Sequence, residues 1–288
     1  MTAPRISFEF FPPQTLDASF RLWETVQVLA PLAPNFVSVT YGAGGTTRKL
    51  THEAVATIGR NYGLNVAAHL TCVDASRTET LEIAAAYAEA GVSEIVALRG
   101  DAPIGAAGFA PHPDGFANTV ELVAALAQTG KFNLRVGAYP EPHPDAVGPL
   151  ADVTWLKRKL DAGATSAITQ FFFEADTFLR FRDACVAAGI TAPIIPGILP
   201  IQSWDGAKRF ARRCGTKVPV RLDEAFQMAA RDGREELLAL TQCTTLCDRL
   251  ITEGAADLHF YTLNRPHLTR EVVRALGIAP EVALEKVA

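Results

Sequence analysis

Glu9 is the first residue in the sequence whose type and surroundings suggest chemistry, and it lies in the stretch SFEFFPP at residues 7–13. A carboxylate among phenylalanines in a strand-like segment is costly to ionise unless a partner pairs with it. It is also what a reaction needs if its acid must hold a proton near neutral pH. Two interpretations of Glu9 are therefore possible. It is either a core carboxylate that accepts a hydrogen bond from a neighbouring donor, or a catalytic acid. The position at a strand end favours the acid.

Polar residues also follow other predicted strands at the same end, in the motifs TYGAGGTT, HLTC, LRGD, YPEPHP, TQFFF and YTLNR. Each motif is weak alone, because a loop such as YGAGG is usually a turn and His69 alone is more often a hydrogen-bonded core histidine than a ligand. Together they indicate one site, since the active sites of parallel barrels lie at the carboxyl ends of the strands.

The elements that must position these residues alternate along the chain. Strand patterns separated by amphipathic helical segments occur in RISFEF, FVSVTY, NVAAHL, SEIVAL, LRVGAY, SAITQ, APIIPG and LHFYTL. Eight strands starting about thirty residues apart predict an α/β fold, a single (β/α)8 TIM barrel domain over residues 1–288. Extra helical material is expected between about residues 200 and 255, before the last strand. An open doubly wound sheet is the alternative, because strand count does not prove closure.

Side-chain alternation along the first strand predicts where Glu9 points. Phe8 and Phe10 share one face and are expected to pack against helices, whereas Ser7, Glu9 and Phe11 share the face toward the barrel mouth. The phenylalanines are expected to desolvate the carboxyl in part, which predicts that its neutral form is favoured.

Composition excludes several classes of function. The chain has 288 residues, 49% of them hydrophobic, a net charge of −4 and no Lys/Arg tract, so we expect neither nucleic acid nor membrane as a partner. Five scattered cysteines without a CxxC pair predict reduced thiols in a cytoplasmic protein. No signal-like or membrane-spanning run is present.

Missing motifs narrow the chemistry further. The sequence has no GxGxxG after the first strand, no P-loop, no HExxH, no lysine on the sixth strand and no nucleophile elbow. These absences disfavour nucleotide binding by a Rossmann or P-loop element, and also metalloprotease, Schiff-base and serine-hydrolase chemistry. They leave mainly a carboxyl acid working with a bound organic cofactor.

The strand-end motifs together resemble the methylenetetrahydrofolate reductases. The resemblance rests on SFEFFPP, FVSVTYGAGG, AHLTC, VALRGD, YPEPHP, LKRKLDAGA, ITQFFF, IIPGILP and FYTLNR, in family order from residue 7 to 265. The length is similar to that of the bacterial form, which has the catalytic barrel only. The family is a FAD-containing barrel that reduces 5,10-methylenetetrahydrofolate to 5-methyltetrahydrofolate with NADH or NADPH, and its product supplies methyl groups for methionine synthesis.

The resemblance also implies roles for individual residues. Glu9 is the implied general acid, and the implied FAD site comprises Tyr41, Ala43, His69, Arg99, Gly100, Asp101, Ala117, Tyr139, His143, Asp152, Arg158 and Lys159. Residues implied to face the nicotinamide are Thr40 and Gln170, and those implied to hold the folate are Asp101, Gln170 and Arg265. Phe210 matches an aromatic residue that stacks on bound ligand, although a helical stripe of Trp204, Ala207, Ala211 and Cys214 also suits it to the core.

Two departures from the family pattern concern the cofactor. Residues 103–115 match no family motif, which leaves the lid over the adenine end undefined. Trp155 stands where a polar contact to FAD is expected. We also expect a homo-oligomer of unspecified size, and the choice between NADH, NADPH and an electron-supplying partner protein stays open.

Two other classes of function remain alternatives. One is a metal-dependent barrel lyase or hydrolase with Glu9, His69, Asp101 and His143 as ligands, although no pair among them has the spacing typical of a metal site. The other is a barrel that binds a pterin without catalysis, which would not need an acid at Glu9.

Overall fold

The computed structural model describes residues 4–41, 47–100, 110–148 and 150–278. Parallel strands in this part of the chain form one sheet in the order β7-β6-β5-β4-β3-β2-β1-β9-β8. The strands are β1 Arg5–Phe10, β2 Phe36–Val39, β3 Val66–Thr71, β4 Glu94–Leu98, β5 Asn133–Ala138, β6 Ser166–Thr169, β7 Ile194–Ile195, β8 Gly197–Ile198 and β9 Asp257–Tyr261.

The sheet closes through a strand that Pro196 divides. β7 pairs with β6 before the proline, and β8 pairs with β9 after it. Proline has no N–H to donate, so it interrupts the ladder at this point, while its carbonyl still accepts from the His259 N–H at 3.0 Å. Because β1 lies between β9 and β2, the ring is nearly complete. The predicted TIM barrel is confirmed, and the open doubly wound sheet is wrong.

Helices cover the outside of this barrel. A short 3-10 helix, Ala30–Leu32, follows the first of them. The α-helices are α1 Leu16–Leu29, α2 Arg48–Tyr62, α3 Arg77–Glu89, α4 Thr119–Gln128, α5 Ala151–Asp161, α6 Ala175–Ala187, α7 Trp204–Cys214, α8 Val220–Arg231, α9 Glu235–Thr252 and α10 Pro266–Ala275. The helices α7, α8 and α9 precede the last strand, which confirms the extra helical material expected there.

The apolar side chains of the strands pack in two layers, one between the strands and the helices and one inside the barrel. Phe8 and Phe10 are buried in the large core between the strands and the helices, as the alternation predicts. A smaller core fills the barrel interior, and its members are Phe36, Ala67, Val96, Ile168 and Ile195. Glu9 is on the opposite face of β1 from Phe8 and Phe10, so it points into the barrel interior.

Two further expectations from the sequence concern reduced thiols and membrane-spanning segments. Cys72, Cys185, Cys243 and Cys247 are buried free thiols, as their pattern predicts. Among the described residues, none of the helices is both long enough and apolar enough to cross a membrane.

Candidate active site

Two histidines from other strands flank the Glu9 carboxylate. The Nε2 atom of His69, on β3, lies 3.4 Å from Glu9 Oε2, and the Nε2 atom of His259, on β9, lies 3.7 Å from the same oxygen. The Glu9 side chain is 14% exposed, whereas that of His259 is fully buried. Within the described part of the chain, neither Nε2 atom has a hydrogen-bond partner in good geometry, and the Glu9 carboxylate lies within 4 Å of both.

Ser7 determines which nitrogen of His259 faces Glu9 as a donor. The Ser7 hydroxyl lies 2.8 Å from His259 Nδ1 and 3.3 Å from the Leu258 carbonyl oxygen. We assign the shorter contact as Ser7 Oγ–H donating to Nδ1, which leaves the imidazole proton on Nε2. In this tautomer His259 presents an N–H to the carboxylate.

The surroundings of Glu9 reverse the expected charge state. Burial by itself raises the pKa of the carboxyl, but the interactions with His259 and His69 outweigh burial and lower the pKa to about 2. Burial, opposed by Glu9, lowers the pKa of His259 below its usual value. The expectation of a neutral carboxyl among phenylalanines is therefore wrong for the ligand-free protein. Phe8 and Phe10 point to the helices, and the groups beside the carboxyl are His69 and His259.

The barrel mouth above Glu9 carries the residues implied to face the nicotinamide. Thr40 follows β2 and is half-buried, and its carbonyl accepts from Thr51 Oγ1 at 3.0 Å. Gln170 follows β6, and its Oε1 accepts from the Phe171 N–H at 3.0 Å. Tyr261 donates its hydroxyl to the Thr169 carbonyl at 2.6 Å. The Tyr261 contact joins the ends of β9 and β6. The Thr40 N–H donates to the Phe10 carbonyl at 2.9 Å, which joins the end of β2 to the end of β1 beside Glu9.

A separate cavity of about 400 Å³ opens at the ends of β4 and β5, beside the first turns of α4 and α5. Of the residues implied to bind FAD, those that line it are Arg99, Ala117, Tyr139, His143, Asp152 and Lys159. Trp155 also lines it, where the family pattern has a polar contact.

Lys159 is the buried cation of this cavity. Its side chain is 5% exposed, and Nζ donates to the Gly137 carbonyl. Burial lowers the pKa of the Lys159 amine to about 8, although Asp152 opposes the shift. A buried ammonium with one carbonyl partner retains donor capacity for an anion.

The YPEPHP loop forms the opposite wall of the cavity. The Tyr139 and His143 rings meet edge to face with centroids 4.6 Å apart. The backbone N–H of His143 donates to Asp152 Oδ2 at 3.1 Å, which fixes the loop to the first turn of α5. Burial lowers the pKa of His143, and Asp145 opposes it. The imidazole is therefore favoured in its neutral form.

Leu98 and Arg99 bring the start of the LRGD motif to the same cavity, and Gly100 follows directly. Arg99 Nη2 pairs with Asp145 Oδ2 at 3.0 Å. Gly100 has φ +88°, and a Cβ there would lie 2.6 Å from Val73 Cγ1. Both the backbone conformation and the space therefore require glycine at this position.

Other predicted residues lie apart from the cavity. Arg158 is exposed on α5 and stacks over the Trp155 ring at 4.5 Å, so Lys159 rather than Arg158 lines the cavity. Tyr41 is buried at the end of β2, and burial, opposed by Arg48, raises its pKa. Arg265 is exposed at the start of α10.

Phe210 lies on α7 beside the aromatic run that follows β6. Its ring stacks on Phe171 with centroids 5.1 Å apart and 23° between planes, and it is half-buried. The helical stripe considered as an alternative is present, since Trp204 and Ala211 are buried on the same helix. Ala43, Asp101 and residues 103–109 lie outside the described part of the chain.

The sequence motifs assign no role to two residues of this cluster, His259 beside the carboxyl and Ser7 beside His259. Strand alternation predicts the correct face of β1 for Ser7, whereas no motif points to His259. The signal was available: in DLHFY the buried Leu258 and Phe260 alternate with His259 and Tyr261, which predicts that the histidine points inward.

The fold and site define a class of protein. It is a parallel (β/α)8 barrel with a carboxyl–histidine cluster inside its mouth and an adjoining cavity that contains a buried cation. In the part of the chain that the structure describes, no group of three or more His, Cys, Asp or Glu side chains is placed to hold a metal ion.

Comparison with known proteins places the chain in a family. The family model for methylenetetrahydrofolate reductase matches residues 2–277, and the chain belongs to this family of oxidoreductases. It is similar to the 5,10-methylenetetrahydrofolate reductase of Pectobacterium carotovorum subsp. carotovorum, with 44% identity over 96% of this chain and 92% of that protein. The Escherichia coli (strain K12) protein with the same description is 43% identical over 96% and 91% of the two chains.

A solved structure supports the fold alone. It is an uncharacterised Clostridium thermocellum protein, described as binding two copies of 5-methyl-5,6,7,8-tetrahydrofolic acid. Its TM-score to this chain is 0.62 at 13% identity, over 96% of this chain and 95% of that one.

Proposed function

We propose that this protein uses FAD and NADH or NADPH to reduce 5,10-methylenetetrahydrofolate to 5-methyltetrahydrofolate, with Glu9 as the proton donor. The observation that carries the proposal is a largely buried carboxyl, 14% exposed, inside the barrel mouth, together with a cavity at the same end of the barrel that is lined by the buried Lys159. Such a carboxyl can deliver a proton to a ligand in the mouth and to few other places.

The substrate explains why an acid is needed. The methylene group bridges two folate nitrogens, and hydride cannot attack the carbon until one C–N bond breaks. Glu9 protonates the leaving nitrogen, the electron pair of the C–N bond moves to that nitrogen, and an iminium cation remains on the other. Reduced FAD, when bound, supplies the hydride that converts this cation to a methyl group. The overall step consumes one proton and one hydride.

Glu9 must gain its proton before that step. In the ligand-free protein, interactions with His259 and His69 outweigh burial and hold the pKa of Glu9 at about 2. A ring system over the mouth would cover the remaining exposed part of the carboxyl, and desolvation favours the neutral form. His259 Nε2 lies 3.7 Å from the carboxylate, so a bound ligand must draw the two groups to hydrogen-bond distance before a proton passes between them. When the imidazolium gives its Nε2 proton to Glu9, the neutral ring keeps its other proton on Nδ1 and donates it to Ser7 Oγ, whose hydroxyl turns to the Leu258 carbonyl.

The cavity residues fit FAD as its binding site. The Lys159 ammonium, buried and facing the cavity, would pair with the diphosphate, and Arg99 lies at the same rim. Tyr139 and His143 offer aromatic faces for ring stacking. Ala117 and Asp152 line the same cavity. Of the remaining proposed contacts, Tyr41, His69, Gly100 and Arg158 lie outside it and extend the FAD site toward the barrel mouth and along α5. Ala43 and Asp101 complete the proposed set.

NAD(P)H and folate would then use the mouth in turn, which gives ping-pong kinetics. Thr40 and Gln170 would contact the nicotinamide, whereas Gln170, Asp101 and Arg265 would hold the folate. Phe210, half-buried against Phe171, would stack on the bound ligand. These roles are the ones that the family resemblance implies for the matching residues of this chain.

We further propose that residues 1–288 act as one catalytic domain in the cytoplasm, as a homo-oligomer, and that the product feeds methionine synthesis. The identity of the electron donor is part of the same proposal, and comparison of NADH with NADPH as reductants decides it.

The test is the visible spectrum of the purified protein followed by stopped-flow kinetics. We expect a yellow protein that releases about one FAD per chain, is bleached by NADH or NADPH, and regains its colour on addition of methylenetetrahydrofolate. Activity should survive exhaustive chelation. A colourless protein that binds folate would favour a pterin-binding barrel, and activity lost on chelation and restored by a divalent ion would favour metal chemistry.

A further inference from the structure

Beneath Glu9, on the side of the barrel away from the mouth, the interior holds a buried ion pair. Arg135 on β5 donates through Nε to Glu94 Oε2 at 2.7 Å and through Nη1 to Ser166 Oγ at 3.0 Å. Both charged residues are 7% exposed. Asn65 donates its side-chain amide to the other oxygen of Glu94. The carboxylate thus has two partners, and the guanidinium is held in one orientation.

The Phe36 ring connects this ion pair to the histidine beside Glu9. The guanidinium carbon of Arg135 lies 3.9 Å from the centroid of the Phe36 ring, which is a cation–π contact. The same ring stacks on His259 with centroids 5.6 Å apart and only 12° between planes. His259 Nε2 in turn lies 3.7 Å from the Glu9 carboxylate. The cation is therefore joined to the proposed acid through two stacked rings.

We propose that Arg135 is a positioning residue for the reaction: through Phe36 it fixes the plane of the His259 imidazole and biases a proton shared by Glu9 and His259 toward Glu9. The inference rests on the proposed function, in which Glu9 must be the group that carries the proton. A cation near the imidazole disfavours the imidazolium, so the shared proton is more stable on the carboxyl.

The groups that face His259 act in opposite directions. Burial lowers its pKa most, Glu9 raises it, and His69 and Arg135 lower it further. Glu94 pairs with the Nε and Nη2 edge of the guanidinium, whereas the Phe36 ring lies against its face, so the face of the cation remains turned to Phe36 and, beyond it, His259. The polar and aromatic groups packed against the imidazole are Ser7 and Glu9 from β1, Phe36 from β2, His69 from β3 and Tyr261 from β9.

The first test replaces both members of the ion pair. In Arg135→Gln/Glu94→Gln, the amides can still bond each other while the charges are gone. We expect the pKa of His259 in the ligand-free protein to rise, measured by NMR of ¹⁵N-histidine-labelled protein. Six histidines keep the spectrum simple, and His259→Gln assigns the signal. This measurement needs neither FAD nor turnover, so it stands even if the proposed function fails.

The second measurement is the pH profile of flavin reoxidation by methylenetetrahydrofolate. In the double variant the shared proton moves toward His259, so the low-pH plateau should fall on the order of tenfold, a part of what a general acid contributes. The profile should also move to higher pH, because removal of the cation makes the shared proton harder to lose. Arg135→Lys, which keeps the charge, should restore the wild-type profile in large part.

Two further variants separate positioning from packing. Phe36→Leu keeps the ion pair but removes the connecting ring, and it should lower the same plateau even if the double variant fails to fold. Ile195→Val removes one methyl group from the interior layer that contains Phe36 but keeps the ion pair and both rings, and it should leave the plateau and the profile unchanged. An unchanged His259 titration in the double variant, or a lower plateau with an unmoved profile, would overturn the proposal and leave Arg135 as a structural residue.

Discussion

The Nε2 atom of His69 lies 3.4 Å from the Oε2 atom of Glu9, although the two residues belong to β3 and β1, which are separated by β2. The contact is possible because both side chains point into the barrel, where residues of non-adjacent strands approach one another. Together with His259, it places the proposed acid between two imidazoles and stabilises its carboxylate form. The activity of Glu9 as an acid therefore depends first on its gaining a proton.

Glu9→Gln should separate the two halves of the reaction. Glutamine matches the shape of a protonated glutamate and can donate a hydrogen bond, but it cannot give up a proton. Flavin bleaching by NAD(P)H should stay nearly normal, whereas reoxidation by methylenetetrahydrofolate should fall at least about a hundredfold. Stopped-flow absorbance follows both steps. Equal slowing of both halves, or of neither, would show that Glu9 is a structural carboxylate.

The pH dependence of the two halves should differ in the same way. An acid acts only while it is protonated, so the rate of reoxidation by folate should fall as pH rises through the pKa of Glu9 in the complex. Since burial raises that pKa and the histidines lower it, a ligand that covers Glu9 should move the pKa upward from about 2. The flavin-reduction half needs no proton from Glu9 and should show no such fall. Rates measured from pH 5 to pH 9 on the same preparation test both expectations.

Lys159→Met should weaken FAD binding, because the cavity loses its buried cation. The folded-state pKa of Lys159 is lowered by burial to about 8, so in the wild type the affinity for FAD should fall as pH rises through that region and the amine loses its charge. The variant should show a flat pH dependence. Titration of apoprotein with FAD, followed by fluorescence quenching, measures both affinities.

Lys157→Met is the matched control for this prediction. Lys157 lies on the same helix but is only half-buried, with 43% of its side chain exposed, and it pairs with Asp161 at 3.0 Å, outside the cavity. Its loss should leave FAD affinity and its pH dependence unchanged. Equal weakening by both variants would mean that the net charge of α5, rather than the buried amine, attracts the cofactor.

Gly100→Ala should destabilise the fold and weaken FAD binding together. The added Cβ would meet Val73 at 2.6 Å, and alanine disfavours φ +88°. The backbone term alone costs about 1 kcal/mol, and displacement of a buried side chain adds to it. Urea unfolding and FAD titration measure the two effects.

Gly130→Ala separates the strain from the contact. Gly130 also has a positive φ, +62°, but a Cβ there would have no neighbour within 4 Å. This variant should lose only the backbone term and keep full FAD affinity. If the two variants are equally destabilised, the contact with Val73 has no energetic role.

The sequence determined the alternation of strands and helices, because the spacing of apolar residues along the chain is a local property. Alternating apolar runs and amphipathic helices at regular spacing predict parallel strands covered by helices, and the carboxyl ends of such strands meet at one mouth. The inward direction of Glu9 and the outward direction of Phe8 and Phe10 also followed from local alternation, since side chains on a strand point to opposite faces in turn. Closure did not follow, because it depends on pairing across Pro196.

Only the tertiary structure decided what surrounds the carboxyl. Phenylalanines are its neighbours along the chain, which predicted a neutral acid, but His69 and His259 are its neighbours in space and favour the charged form. The link from Arg135 through Phe36 to His259 likewise joins β5, β2 and β9. A charge state depends on distances between groups, and the chain fixes those distances only when the strands close into a barrel.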